Sequence, residues 1–195
     1  QERIEQDLAG LDRLGVRIEY SREAGRDFTV SALRAQGFGA ILVAVGAQMA
    51  KRLGIPGEDA EGVLDGIALL RSVREGKPLS IGRKVAVVGA GDTAMDCART
   101  ARRLGAEVAI VYRRTIDQMP ADREEVRAML EEGVAVQELT LPVRLLVEDG
   151  HLAGLVCTRM EYRGDRDPSG RKVPHPVEGS EFELPFDTLL LAVSQ

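Results

Sequence analysis

The chain has 195 residues, 44% hydrophobic and 29% charged, proportions that suit one large or two small globular domains and exclude the disordered and fibrous classes. With 31 acidic residues against 26 basic ones the formal net charge is −5; no overall basic field gathers phosphate backbones, nucleic acid is excluded as the main partner, and any anion site must be local. No apolar run approaches the ~20 residues that span a bilayer, which argues against a membrane partner.

From the start of the chain, ERIEQDLAGLDRLGV carries apolar residues at Ile4, Leu8, Leu11 and Leu14, a helical stripe closed by Gly15. The opening QERIEQ has neither an initiator Met nor a signal-peptide pattern and reads as a cut end. GVRIEY predicts a short strand, DFTVSALRAQGF a turn and short helix, and GAILVAVGA a strand buried on both faces. KRLGIPGEDAEG, with Gly54, Pro56, Gly57 and Gly62, predicts a loop or interdomain connection, and VLDGIALLRSVREG after it has helical spacing. From Lys84 the pattern alternates: strand KVAVVGA, helix DTAMDCARTARRLG, strand AEVAIVYRR, helix PADREEVRAMLEEG, strand VAVQELT. That alternation predicts right-handed crossovers in a parallel sheet. VRLLVEDGHLAGLVCTRMEYR predicts a hairpin turning at Glu148, Asp149, Gly150 and His151, and FDTLLLAVSQ a final buried strand.

The stretch VAVVGAGDTAMD, Val85 to Asp96, sets G-x-G-x-x-A between a strand and a helix. In that pattern Gly89 permits the sharp exit from the strand, Gly91 lets the backbone approach a pyrophosphate, and Ala94 lets the helix sit close to the sheet. The N–H groups of the first helical turn then face the phosphates, with the positive end of the helix dipole behind them. Asp92 or Thr93 is expected to cap that helix. Small residues between strand and helix also serve packing alone. The apolar strand before, the amphipathic helix after and Gly105 at its expected end favour dinucleotide binding.

The choice of dinucleotide falls at the end of the second strand, where Asp or Glu usually reads an unphosphorylated ribose. Arg113 and Arg114 stand there instead, near the ~20-residue spacing of that position, and a guanidinium can hold a 2′-phosphate with two charge-assisted hydrogen bonds. The alternative is a solvated loop whose charges face water. The spacing favours the phosphate clamp and, with it, NADPH.

The other chemistry-bearing residues read more plainly. Cys97 and Cys157 form no C-x-x-C and stand in no Cys/His cluster, so no metal site is expected and free thiols of a reducing, cytoplasmic compartment are. His151 at a hairpin turn and His175 between two prolines are expected as exposed loop residues rather than an acid–base pair, and Asp122 to Glu125 as a solvated helix start.

GAGDTAMDCARTARRLGAEVAIVYRRTIDQMPADREEV resembles the NADPH-binding domain of the glutamate synthase small (beta) subunit and its relatives in the FAD-dependent pyridine nucleotide-disulfide oxidoreductase superfamily, including the reductase portion of dihydropyrimidine dehydrogenase. YRR followed by MP is the more specific part of the match, which extends forward through GLVCTRMEYRGDRDPSGRKVPHPVEGSEFELPFDTLLLAVSQ and back through LGIPGED and ILVAVGA. The resemblance implies an α/β fold: a Rossmann-like parallel sheet with helices on both faces and a β-hairpin or meander excursion, plus a partial flavin-domain remnant at the N-terminus. It implies a flavin half and connecting helix over residues 1–80 and an NADPH domain over residues 81–195. Coenzyme contacts carry over to Ala90, Gly91, Asp92 and Thr93, to Arg113 and Arg114, and to Ala192, Val193 and Ser194, the last standing where the family has glycine.

In such proteins NADPH gives a hydride to FAD, and electrons pass through iron–sulfur centres to a larger catalytic subunit. The family's flavin fingerprint and its flavin-touching Gly-Asp segment have no counterpart here, so the resemblance implies an excerpt of a larger reductase that holds FAD only at full length. No catalytic side chain is expected, because hydride transfer between two cofactors depends on their positioning. A ferredoxin or pyrimidine-reducing partner, a homo-oligomer, and a non-enzymatic nucleotide-sensing domain stay open.

Overall fold

The computed structural model of the chain describes residues 2–46 and 51–193. The chain divides into two compact units, Gln1–Gly46 and Ala47–Gln195.

The first unit holds α1 (Glu2–Arg13) and α2 (Val30–Ala35). Thr29 caps α2, its hydroxyl accepting from the N–H of Ala32 at 3.1 Å. The strand expected at GVRIEY does not form, and neither does the buried strand expected at GAILVAVGA over its described residues. There Leu42 is 90% exposed and Val43 68%. An apolar run becomes a strand only where a neighbour offers its own N–H and C=O groups, and no strand occurs among the described residues of this unit.

The second unit contains β1 (Val63–Asp65), α3 (Gly66–Arg74), β2 (Lys84–Val88), α4 (Asp92–Arg103), β3 (Glu107–Val111), α5 (Arg123–Glu131) and β4 (Ala135–Gln137). It continues with β5 (Thr140–Glu148), β6 (His151–Arg166), β7 (Lys172–Pro176), β8 (Phe182–Leu184) and β9 (Thr188–Leu191). Five strands form a parallel sheet in the order β1-β9-β2-β3-β4, with β9 inserted so that Val63 faces Leu189 and Val85 faces Thr188. Residues 63–74, expected with the flavin half, therefore belong to this unit. β1 is an edge of its sheet, and α3, capped by Asp65 accepting from Ile67 N–H at 2.8 Å, packs on α4.

The buried strands show one side chain to each face in turn. Val85, Val87, Val108, Ile110 and Leu190 meet α3, α4 and α5 in one core. Ala86, Val88, Val111, Leu189 and Leu191 meet Leu145, Leu152, Leu155 and Cys157 of the antiparallel strands in a second. The α/β class and the parallel sheet with an antiparallel excursion are as expected. The helices expected on both faces gather on one, because β5, β6 and β8 supply the apolar cover of the other. The β5–β6 hairpin turns at Asp149 and Gly150, both at positive φ, as two-residue hairpins of this twist require. No helix among the described residues is long and apolar enough to cross a membrane.

Candidate functional site

A cavity of about 720 Å³ opens where β2 and β3 end. Its near wall is the β2–α4 turn. Gly89 has φ +141°, and a Cβ there would overlap the carbonyl of Ala192, whose N–H donates to Val88 O at 2.9 Å. Gly89 is thus demanded by the protein itself. Gly91 is different: at φ −87° and ψ 179° it is extended, and a Cβ on it would meet nothing within 4 Å among the described residues.

The capping expected of Asp92 or Thr93 is not what the structure shows. Gly91 is the N-cap and no side chain caps α4. Asp92 instead turns its carboxylate to the next connection, accepting from Asp122 N–H at 2.9 Å, while Ala90 O accepts from Ala121 N–H at 3.2 Å. The N-terminal N–H groups of a 12-residue helix are thereby left without a protein cap, which is the arrangement that attracts an anion. Thr93 is exposed beside them, and Ala94, fully buried, lets α4 settle on the sheet.

The far wall follows β3. Tyr112, Arg113 and Arg114 line the cavity together with Arg171, Lys51 and Val193. The two neighbouring arginines have different fates. Arg113 is exposed and makes no hydrogen bond or ion pair among the described residues. Arg114 has a side chain only 6% exposed, pairs with Asp167 at 3.1 Å and donates through Nε to Lys172 O at 2.9 Å. Ala192 is buried at the end of β9 beside Gly89. Ser194 lies outside the described residues.

The loop 51–58, expected only as a connection, forms part of the wall. Glu58 is 7% exposed, and its carboxylate accepts from the N–H groups of Leu53, Gly54 and Ile55 at 2.6, 2.7 and 3.2 Å. That bond set folds the loop so that Leu53 and Ile55 pack into the second core and Lys51 and Arg52 reach the cavity. Arg52 is held by Asp59 at 2.7 Å, whereas Lys51 has no partner among the described residues. Sequence reasoning missed Glu58, Lys51 and Arg171. A carboxylate four residues after Gly54 and one after Gly57 was the available signal for the first.

Several titratable groups lie away from the cavity lining. Burial pushes the thiols of Cys97 and Cys157 up to about 12, so neither is a nucleophile at neutral pH. His175 lies in β7 rather than in a loop, bonded to Asp165 at 2.8 Å, and that bond holds the Asp165 carboxyl below its ordinary value. His151 opens β6 and stands 3.5 Å from Glu61. Asp122 caps α5 by accepting from Glu124 N–H at 2.7 Å, and Glu125 pairs with Arg99. Among the described residues no group of three or more His, Cys, Asp or Glu is placed to hold a metal.

The pyridine nucleotide-disulphide oxidoreductase family model matches residues 11–193. The chain belongs to that family. Members of this family work with NAD(P)H and FAD. The chain is 42% identical over 98% of its length to the NADPH-Fe(3+) oxidoreductase subunit beta of Geobacter sulfurreducens, covering 29% of that protein. It is 33% identical over 98% of its length to a putative glutamate synthase [NADPH] small chain of Cereibacter sphaeroides, covering 47% of it. It thus spans less than half the length of either relative. The fold is also similar to a part of 2-naphthoyl-CoA reductase, solved in complex with 2-naphthoyl-CoA: TM-score 0.62 at 17% identity, over 95% of this chain and 24% of that one.

The residues at the β2–α4 turn fit the pyrophosphate of a family dinucleotide. The uncapped helix start supplies donors, and the open space over Gly91 leaves room for close approach.

Proposed function

We propose that the cavity binds NADPH, and that the chain is the nucleotide-binding part of a larger flavin-dependent reductase resembling the glutamate synthase small subunit. That reductase would pass electrons to a larger catalytic subunit or an iron–sulfur partner. Gly91 carries the reading. Among the described residues nothing occupies the space its missing Cβ leaves, so they give no steric reason for glycine there, whereas a pyrophosphate against the start of α4 does.

In this reading the N–H groups of Gly91, Asp92 and Thr93 hold the phosphates, and Gly89, Ala90 and Ala94 shape the turn. Arg113, free and exposed on the cavity wall, reads the 2′-phosphate. Arg114 supports that wall through Asp167 and Lys172. Ala192, Val193 and Ser194 are assigned to the nicotinamide end. When bound, the reduced nicotinamide supplies a hydride for FAD. The protein's share is binding and orientation, and no side chain of the cavity is assigned a proton. Residues before Ala47 fall to the flavin half.

The higher identity to the subunit of an NADPH-Fe(3+) oxidoreductase, 42% against 33%, favours as a second reading the same build serving a different electron acceptor. Calorimetric titration of the intact protein with NADPH and NADH tests the coenzyme. NADPH is expected to bind about tenfold or more tighter, as one charge-assisted phosphate contact provides, and Arg113→Ala to shrink the difference. Equal affinities in the unaltered protein would remove NADPH as the coenzyme.

A further inference from the structure

The β6–β7 hairpin is fastened to the connection after β3 at several points. Arg114 Nη2 meets Asp167 Oδ2 at 3.1 Å, and its Nε donates to Lys172 O at 2.9 Å. Lys172 N–H donates to Gln118 Oε1 at 3.2 Å, and the Tyr162 hydroxyl accepts from Thr115 N–H at 2.9 Å. The Lys172 ammonium stands 5.1 Å over the Tyr162 ring.

At the hairpin tip Asp167 organises the turn, its Oδ1 accepting from the N–H groups of Ser169 and Arg171 at 2.9 and 3.1 Å. The consequence is a fixed place for Arg171. Its Nε donates to Ser169 Oγ at 2.9 Å and lies 3.5 Å from Asp167 Oδ2. Its terminal nitrogens make no hydrogen bond among the described residues, and the side chain, 41% exposed, lines the same cavity as Arg113.

We infer that Arg171 is a second specificity-determining residue for the 2′-phosphate, delivered to Arg113 by the hairpin that Arg114 and Asp167 hold in place. The inference rests on the NADPH reading above and deepens it. Three guanidinium groups, of Arg113, Arg114 and Arg171, line the cavity, and none of the lining residues is a carboxylate; Asp167 pairs with two of the three from outside the lining. The surplus of positive charge suits a phosphate monoester carrying about −1.5 to −2 at neutral pH. A ribose hydroxyl gives Arg171 nothing comparable to hold, so its effect falls on NADPH and not on NADH.

The test is titration of the intact protein, and of its Arg171→Ala, Arg171→Lys and Arg113→Ala variants, with NADPH and NADH at two salt concentrations. Arg171→Ala is expected to weaken NADPH about tenfold or more, to leave NADH unchanged, and to flatten the salt dependence of NADPH binding; Arg171→Lys is expected to regain part of the loss. Suppose Arg113→Ala removes the preference while Arg171→Ala leaves NADPH affinity within about twofold. The inference then falls and the coenzyme reading stands. Equal weakening of both nucleotides by Arg171→Ala marks a merely structural hairpin and also overturns it. No preference for NADPH in the unaltered protein overturns both.

Discussion

Between β2 and α4 the chain spends only residues 89–91, and the N–H groups that turn offers belong to consecutive residues, with Ala192 pressing on Gly89 from just beyond β9. Between β3 and α5 it spends residues 112–122, and the wall they form is completed by a hairpin from residues 162–172. The first connection offers backbone N–H groups, whose positions follow once the helix starts. The second offers side-chain charge, whose position depends on what packs beneath it. An anion site made of backbone is therefore encoded locally, and one made of guanidinium groups is encoded by tertiary structure.

The sharpest way to break the local half is Gly89→Val. The new Cβ would overlap the Ala192 carbonyl, and φ +141° is closed to a β-branched residue. A loss on the order of 4 kcal/mol in chemical denaturation is expected, the scale reserved for such backbone conflicts. Near-normal stability would mean that β9 does not press on the turn.

Arg114→Ala breaks the assembled half. It leaves the Lys172 carbonyl without its donor and opens a gap where a buried side chain packed. About 2 kcal/mol of destabilisation is expected from these two effects. Amide exchange should quicken in β7 and the turn before it while α4 stays protected. Uniform exchange across the sheet would show that the hairpin is not fastened at this point.

Gly91→Ala returns to the local half with the opposite outcome from Gly89. Among the described residues nothing lies within 4 Å of the added methyl, and φ is −87°, so stability should change by less than about 0.5 kcal/mol. Nucleotide affinity should nevertheless fall about tenfold, for NADPH and NADH alike, because the methyl enters the space assigned to the pyrophosphate. Unchanged affinity for both would remove the pyrophosphate from this turn.

The same contrast explains what could be seen in the sequence. The strand–helix–strand run from Lys84 to Gln137 and the Asp149–Gly150 hairpin were legible because each is specified by periodicity and turn chemistry within a few residues. The run GAILVAVGA looked equally strand-like, yet it lacks a partner strand among the described residues, and Leu42 is left exposed. Within FDTLLLAVSQ, of similar composition, Thr188–Leu191 is a buried strand because β1 and β2 flank it. At the site, Gly89, Gly91 and Ala94 were readable in place. Arg113 and Arg114 looked interchangeable, and only the distant Asp167 and Lys172 separate them. Arg171 gave no signal, since nothing local sets a turn residue against β3.

A smaller effect concerns the tie between the two connections. Glu132, the C-cap of α5, accepts from Arg103 Nη2 at 2.6 Å and from Arg99 Nε at 2.8 Å, both on α4, and Arg99 also pairs with Glu125. The hydrogen bonds from Arg103 and Arg99 hold the Glu132 carboxyl down at about 2, against an ordinary 4.5. A carboxylate held below its unfolded value contributes stability that is fully present above about pH 4.5 and is lost as the pH falls through about 2. Glu132→Gln should therefore melt slightly below the unaltered protein at pH 7, with the gap closing between about pH 4.5 and 2. Because the Arg103 side chain is 63% exposed, solvent screens the pair, and added salt should narrow the gap at pH 7. A gap that persists undiminished at pH 2 would mean that Glu132 joins α4 to α5 through packing, and that charge has no part in coupling the two connections.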